Sequence, residues 1–206
     1  MFKKLLLILL LASTPVFADF PVPVNTGVCL NSEEAQLVQL VNNYRVQNGL
    51  QALPASKWLS STGQWHVWDR MANSAVGGVC NPHSWSNARP DLWQAVCYTS
   101  DHAQAAQMWA KPRQISGGIY TGNGFENSAD SGGQQTAAQA LSQWQNSPAH
   151  NAVILQQGTW SGINFGGLGV GILGGYAVLW FGDRVDPSGT MIQCPTDYIF
   201  YNGFEE

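Results

Sequence analysis

Apolar and polar positions alternate with clear periods at the two ends of this chain and lose them in the middle. Asn31 followed by Glu34 has the form of a helix N-cap with its reciprocal acid. Leu37, Leu40, Val41 and Tyr44 then recur at helical spacing, and Gly49 closes the run as a C-cap residue. After Leu53-Pro54, the residues Trp58, Leu59, Trp65, Trp68 and Met71 predict a second helix. Residues 73–135 are rich in Asn, Gly, Ser and Pro and read as irregular, with a helical patch at Ala103–Trp109. A third clear helix runs from Thr136 to Gln145 on Ala137, Ala140, Leu141 and Trp144, and Ser147-Pro148 stops it. A short turn or helix follows at Val153–Leu155. Gly169–Ile172 and Tyr176–Phe181 read as strands joined by Leu173-Gly174-Gly175. Helices first and strands late point to an α+β arrangement.

Two motifs are false friends. Gly169 to Gly174 spells G-x-G-x-x-G, but that dinucleotide fingerprint needs a helix after it and here a strand follows. Its glycines suit a tight hairpin and close packing instead. Gly158-Thr159-Trp160-Ser161-Gly162 puts its serine one place away from the nucleophile-elbow position.

Composition narrows the class. Of 206 residues, 45% are hydrophobic but only 11% are charged, where a soluble domain carries roughly 25%. There is material for one good core, and 22 glycines and ten prolines imply much loop. The formal charge of −4, without a basic cluster, argues against nucleic acid as a partner. Lys3 and Lys4, the apolar run Leu5–Ala12 and the small residues of Val16-Phe17-Ala18 form a secretory signal cut after Ala18. The apolar run is too short for a membrane anchor, which needs about 20 residues. Cleavage leaves 7 Lys and Arg against 13 Asp and Glu, a balance of −6.

Export to the periplasm or beyond makes disulfides the default for Cys29, Cys80, Cys97 and Cys194. Three pairings are possible. The favoured one joins Cys80–Cys97 as a local loop and Cys29–Cys194 as a clasp between the ends of the domain. The local loop is worth about 3 kcal/mol in the chain-entropy model. A cysteine zinc site is disfavoured by the lack of any C-x-x-C pair, and no N-glycosylation sequon occurs.

Five elements, in order, resemble the CAP superfamily, whose bacterial branch carries the SCP-like extracellular domain. They are Asn42-Asn43-Tyr44-Arg45 with Asn48-Gly49-Leu50 and Leu53; His83-Ser84 after Cys80; Gly124-Phe125-Glu126-Asn127, similar to "G-E-N" with one insertion; Trp144 with Ser147-Pro148-Ala149-His150; and the terminal strand pair. The resemblance covers Ser32 to Gly182. It divides the chain into a signal (1–18), an N-terminal segment (19–31), the CAP domain (32–182) and a C-terminal extension with Cys194 (183–206). It implies a three-layer α-β-α sandwich with a cleft that gathers two histidines and two acids. Carried over by motif, these are His83, His150 and Glu126, while the place of the second acid is taken by Ser147.

What the cleft does is left between readings. The first is a secreted bacterial binding module that takes a small ligand, lipid, peptide or metal, since CAP relatives are linked to sterol or lipid binding and share no single reaction. The alternative is a metal-dependent hydrolase, with zinc or another divalent metal on His83 and His150 and Glu126 as general base. Glu126 could equally orient a histidine from behind. A third reading is a disulfide-stapled scaffold. His66, between Trp65 and Trp68, is expected to be a packed helical residue, and His102 beside Asp101 to be exposed or capping. Trp58, Trp65, Trp144 and Trp180 are expected in the core. Trp85, Trp93, Trp109 and Trp160 lie in loops, where they could line a ligand groove (Trp85 and Trp93 foremost) or replace missing regular structure. The tail 194–206, aromatic and ending in acids, could be an edge strand, a partner-binding tag or a processing signal.

Overall fold

A computed structural model describes residues 21–73 and 75–195. The signal segment 1–18 and the aromatic tail from Thr196 onward lie outside the described residues. Among the described residues no helix is long and apolar enough to cross a membrane.

The chain runs α1 (Ser32–Gln47), α2 (Lys57–Asn73), α3 (Ala105–Trp109), α4 (Lys111–Ile115), β1 (Gly124–Asp130), α5 (Ala137–Gln145), α6 (Pro148–Ile154), a 3-10 turn (Gly158–Trp160), β2 (Gly167–Leu173) and β3 (Tyr176–Gly182). The strands form one antiparallel sheet in the order β1-β3-β2. β3 shows how the layers are built. Ala177, Leu179 and Phe181 pack in one core with Leu37 and Val41 of α1 and Ala140 and Trp144 of α5. Val178 and Trp180, one residue out of phase, pack in a second core with Leu59, Val67 and Trp68 of α2. Alternation along a strand thus places α1 and α5 on one face and α2 on the other.

Local chemistry sets the element ends. Asn31 and Glu34 close a reciprocal capping box on α1, and Thr136 and Gln139 do the same on α5. The glycines of the false dinucleotide motif serve packing: Gly169 and Gly171 lie directly against the α2 backbone at Leu59 and Gly63. A Cβ on Gly63 would sit 2.7 Å from the Val170 carbonyl carbon. Gly174, at φ +54°, makes the two-residue turn between β2 and β3. Both disulfides form as favoured, Cys29–Cys194 with Cα atoms 5.0 Å apart and Cys80–Cys97 at 4.9 Å.

Two expectations change. Residues 73–135 are not irregular throughout, because they contain α4 and the strand β1. β1 hides its period because its α2-facing positions are Glu126 and Ser128, polar residues matched by partners rather than by apolar neighbours. Pro148 begins a helix rather than only ending one, since the first helical turn does not need its missing N–H.

Candidate functional site

The site is assembled around Glu126 on β1. Its side chain is fully buried, and each carboxylate oxygen meets a histidine. Oε1 lies against Nδ1 of His66, from α2, and Oε2 lies 2.7 Å from Nδ1 of His83. The other nitrogen of His66 lies 3.1 Å from the Ser84 carbonyl. Burial pushes the Glu126 carboxyl up, but the charge and hydrogen bond of His66, then those of His83, outweigh it and hold the group at about 2. Glu126 is therefore a carboxylate at neutral pH. Both nitrogens of His66 thus face acceptors, the Glu126 carboxylate on one side and the Ser84 carbonyl on the other, and the ring is held between them.

His66 is positioned on every side. Its ring stacks on Trp85 at 4.2 Å with a 6° interplanar angle, and Trp93 packs behind Trp85 at 5.1 Å. Trp85 and Trp93 are each 1% exposed. They do not line a groove, as one reading had them, but form the core that backs the His66–Glu126 pair. The reason is the long segment between α2 and β1, which has few regular elements and buries its tryptophans instead. Ser84 accepts from His66 through its carbonyl and from the Tyr98 N–H through its hydroxyl at 2.9 Å. The His83-Ser84 segment is thereby fixed beside the carboxylate.

His150 approaches from the other layer, on α6. No bond joins it to Glu126. Three contacts hold its helix: Asn127 Nδ2 donates to the His150 carbonyl at 2.9 Å, Tyr44 donates to Asn151 Oδ1 at 2.9 Å, and Arg45 donates to the Ile154 carbonyl at 2.6 Å. The Asn-Tyr-Arg motif of α1 thus acts on the site through α6. Burial, then the neighbouring His83, holds the His150 imidazole below its ordinary value, with Glu126 opposing weakly. Ser147, in the place of the second acid, is the N-cap residue of α6 and does not line the cavity.

His83, Glu126 and His150 converge on one open cavity of about 630 Å³. Its apolar wall includes Met108, Trp109, Phe125, Val153, Trp160 and Ile163. Trp109 and Trp160 flank Phe125 with ring centroids at 5.4 and 5.2 Å. Tyr98 and His102 stand at the polar end beside His83, joined by a 2.9 Å bond between the Tyr98 hydroxyl and His102 Nδ1. The sequence pattern carries no sign that His66 partners Glu126, places Asn127 in the G-E-N motif without a role, and does not single out Tyr98. Of the four loop tryptophans, Trp109 and Trp160 line the cavity and Trp85 and Trp93 do not.

The donor set for a metal is small. Both oxygens of Glu126 and the Nδ1 of His83 are already engaged, which leaves His83 Nε2 and the His150 ring. Among the described residues, no group of three or more His, Cys, Asp or Glu side chains is placed to hold a metal ion. A catalytic zinc with three protein ligands does not fit this arrangement.

No protein-family profile matches the chain, and no curated protein matches it by sequence. Solved structures do. An extracellular protein containing an SCP domain from Bacillus anthracis str. Ames aligns over 74% of this chain and 40% of its own, with a TM-score of 0.50 and 19% identity. This chain therefore spans less than half of that protein. An outer surface protein from Borrelia burgdorferi aligns over 73% of this chain and 91% of its own, with a TM-score of 0.47 and 15% identity. The chain has the α+β fold of the SCP/CAP domain.

Proposed function

We propose that this protein is an exported binding module whose cavity takes a small ligand with an apolar body and a polar end. The lead segment 1–18 with its signal pattern, and two disulfides in one small domain, support export to an oxidising compartment. One observation carries the binding reading: the acid at the centre of the site is spent on holding two histidines, not on a substrate. A carboxylate held at about 2 and bonded through both oxygens is a poor general base at neutral pH. What remains available is an aromatic wall and two imidazoles.

A metal-holding variant of this reading has one observation in its favour. A carboxylate that engages His83 Nδ1 orients the ring from behind, the usual support of a metal-bound histidine. Hydrolysis with Glu126 as base gains nothing from the same geometry. Titration with the fluorophore phenylnaphthylamine tests the cavity. It should bind with a fluorescence rise, and Trp160→Ala should weaken it severalfold while the melting temperature holds. Equal binding by Trp160→Ala would overturn the cavity as the binding site. Zinc added in the same titration reports on the imidazole pair, with His83→Ala as its control.

A further inference from the structure

β1 is an outer strand: β3 pairs along one side of it and no strand pairs along the other. The register settles which main-chain groups face outward. Ser131 N–H donates to the Gly175 carbonyl, and Asp183 N–H donates to the Asn123 carbonyl. In an antiparallel ladder this assigns the odd-numbered residues to the bonds with β3, and the N–H and C=O groups of Glu126 and Ser128 point away from it. Among the described residues these four groups have no hydrogen-bond partner. Glu126 gives independent support. Its side chain is 0% exposed, yet the residue as a whole retains 7%. All of its open surface is therefore main chain, and it opens on the cavity. Outward along the strand, Ser128 is half-buried and Asp130 is exposed. The free edge thus runs from the cavity to the protein surface.

An unpaired edge is a template for another strand. A small apolar ligand would fill the cavity and leave this edge unmet. An extended backbone meets both, because its donors and acceptors alternate at the same repeat and it lies roughly 4.8 Å from its partner. We propose that the occupant is an extended peptide that adds to β1 as a fourth strand. Its main chain bonds to Glu126 and Ser128, and one bulky apolar side chain enters the cavity beside Trp109, Phe125 and Trp160. This deepens the binding reading above and rests on it.

The test is to pan a display library of random hexapeptides against the full disulfide-bonded chain. Enriched peptides should share one bulky apolar residue, and alternate N-methylation, which removes the donors facing β1, should weaken them at least about tenfold. Ser128→Pro removes one edge N–H at a position where an outer strand tolerates proline. It should lose these peptides, while Ser128→Ala, which keeps the main-chain donor, should retain them. The proposal is overturned if no sequence is enriched, or if N-methylation in either phase leaves affinity unchanged. It is also overturned if folded Ser128→Pro protein binds as the parent does. Phenylnaphthylamine separates the two readings. Dye binding that depends on Trp160, without any strand-like peptide, removes the peptide and keeps the cavity; loss of both removes both.

Discussion

Two buried glutamates, Glu34 and Glu126, sit in different regions of this molecule and are handled in opposite ways. Glu34, in the first turn of α1, ties three segments together. Its Oε2 accepts from the Asn31 N–H at 2.9 Å, from Gln64 Nε2 at 2.9 Å and from Asn25 Nδ2 at 3.2 Å, and its Oε1 accepts from the Ile172 N–H at 3.2 Å. All four donors are neutral. Burial dominates and pushes its carboxyl up to about 7. Glu126 is equally enclosed but faces two imidazoles, whose charge and hydrogen bonds hold it at about 2. Four neutral donors do not compensate for taking a carboxylate out of water, whereas two facing imidazoles do. Glu34 is a structural knot beside the Cys29–Cys194 clasp, since Asn25 and Gln64 also donate to the Cys29 carbonyl. Glu126 is an ionic anchor that fixes how His83 is presented to the cavity.

Substitution by glutamine separates the two most sharply. Glu126→Gln removes the carboxylate that pairs with both His66 and His83, and breaking such a buried pair costs about 3–5 kcal/mol. Glu34→Gln exchanges one acceptor for a donor but removes a buried charge, and should cost about 1 kcal/mol at pH 7. Urea unfolding of both variants measures the difference. Equal losses would break the comparison.

The pH dependence provides the next test, and the signs are opposite. A carboxyl raised in the folded state binds its proton more tightly there than in the unfolded chain. The contribution of Glu34 is therefore best below about pH 4.5 and falls as pH climbs from 4.5 to 7, by about 3 kcal/mol in all. Glu126, lowered in the folded state, stabilises above about pH 4.5 and loses that contribution as pH falls toward 2. Unfolding measured across this range should show the parent losing stability between pH 4.5 and 7. Glu34→Gln should be flatter there and should keep the acid loss below it. An unchanged slope in Glu34→Gln would show that its donors balance the burial after all.

The elements that announced themselves in the sequence are those whose causes are local. The α1 capping box, the face of α5 and the β2–β3 hairpin each rest on residues a few positions apart. His83, Glu126 and His150 were identified by motif resemblance, and the fold brings them to one cavity. His66 was read correctly as packed, but its role depends on a carboxylate 60 residues away, and no spacing expresses that. β1 escaped notice for the same reason: its α2-facing residues are polar and their partners, Arg70 of α2 among them, are distant in sequence. Trp85 and Trp93 resembled groove residues because they sit in loops, yet it is their burial that lets those loops fold.

A similar contrast applies within the site itself. His83 is held directly by the Glu126 carboxylate, whereas His150 is placed only through hydrogen bonds on its helix, of which the Tyr44–Asn151 bond is one. Tyr44→Phe deletes that bond and should cost about 1 kcal/mol. The informative readout is the titration of His150. Burial is the main cause that holds its imidazole below the ordinary value, so a loosened α6 admits water and lets the value rise. A proton NMR titration of the His150 ring should show an upward shift in Tyr44→Phe. Glu126 should remain ionised in the same variant, because nothing in the His66 pair depends on α1. A shift at Glu126, or none at His150, would mean that the two halves of the site are not anchored independently.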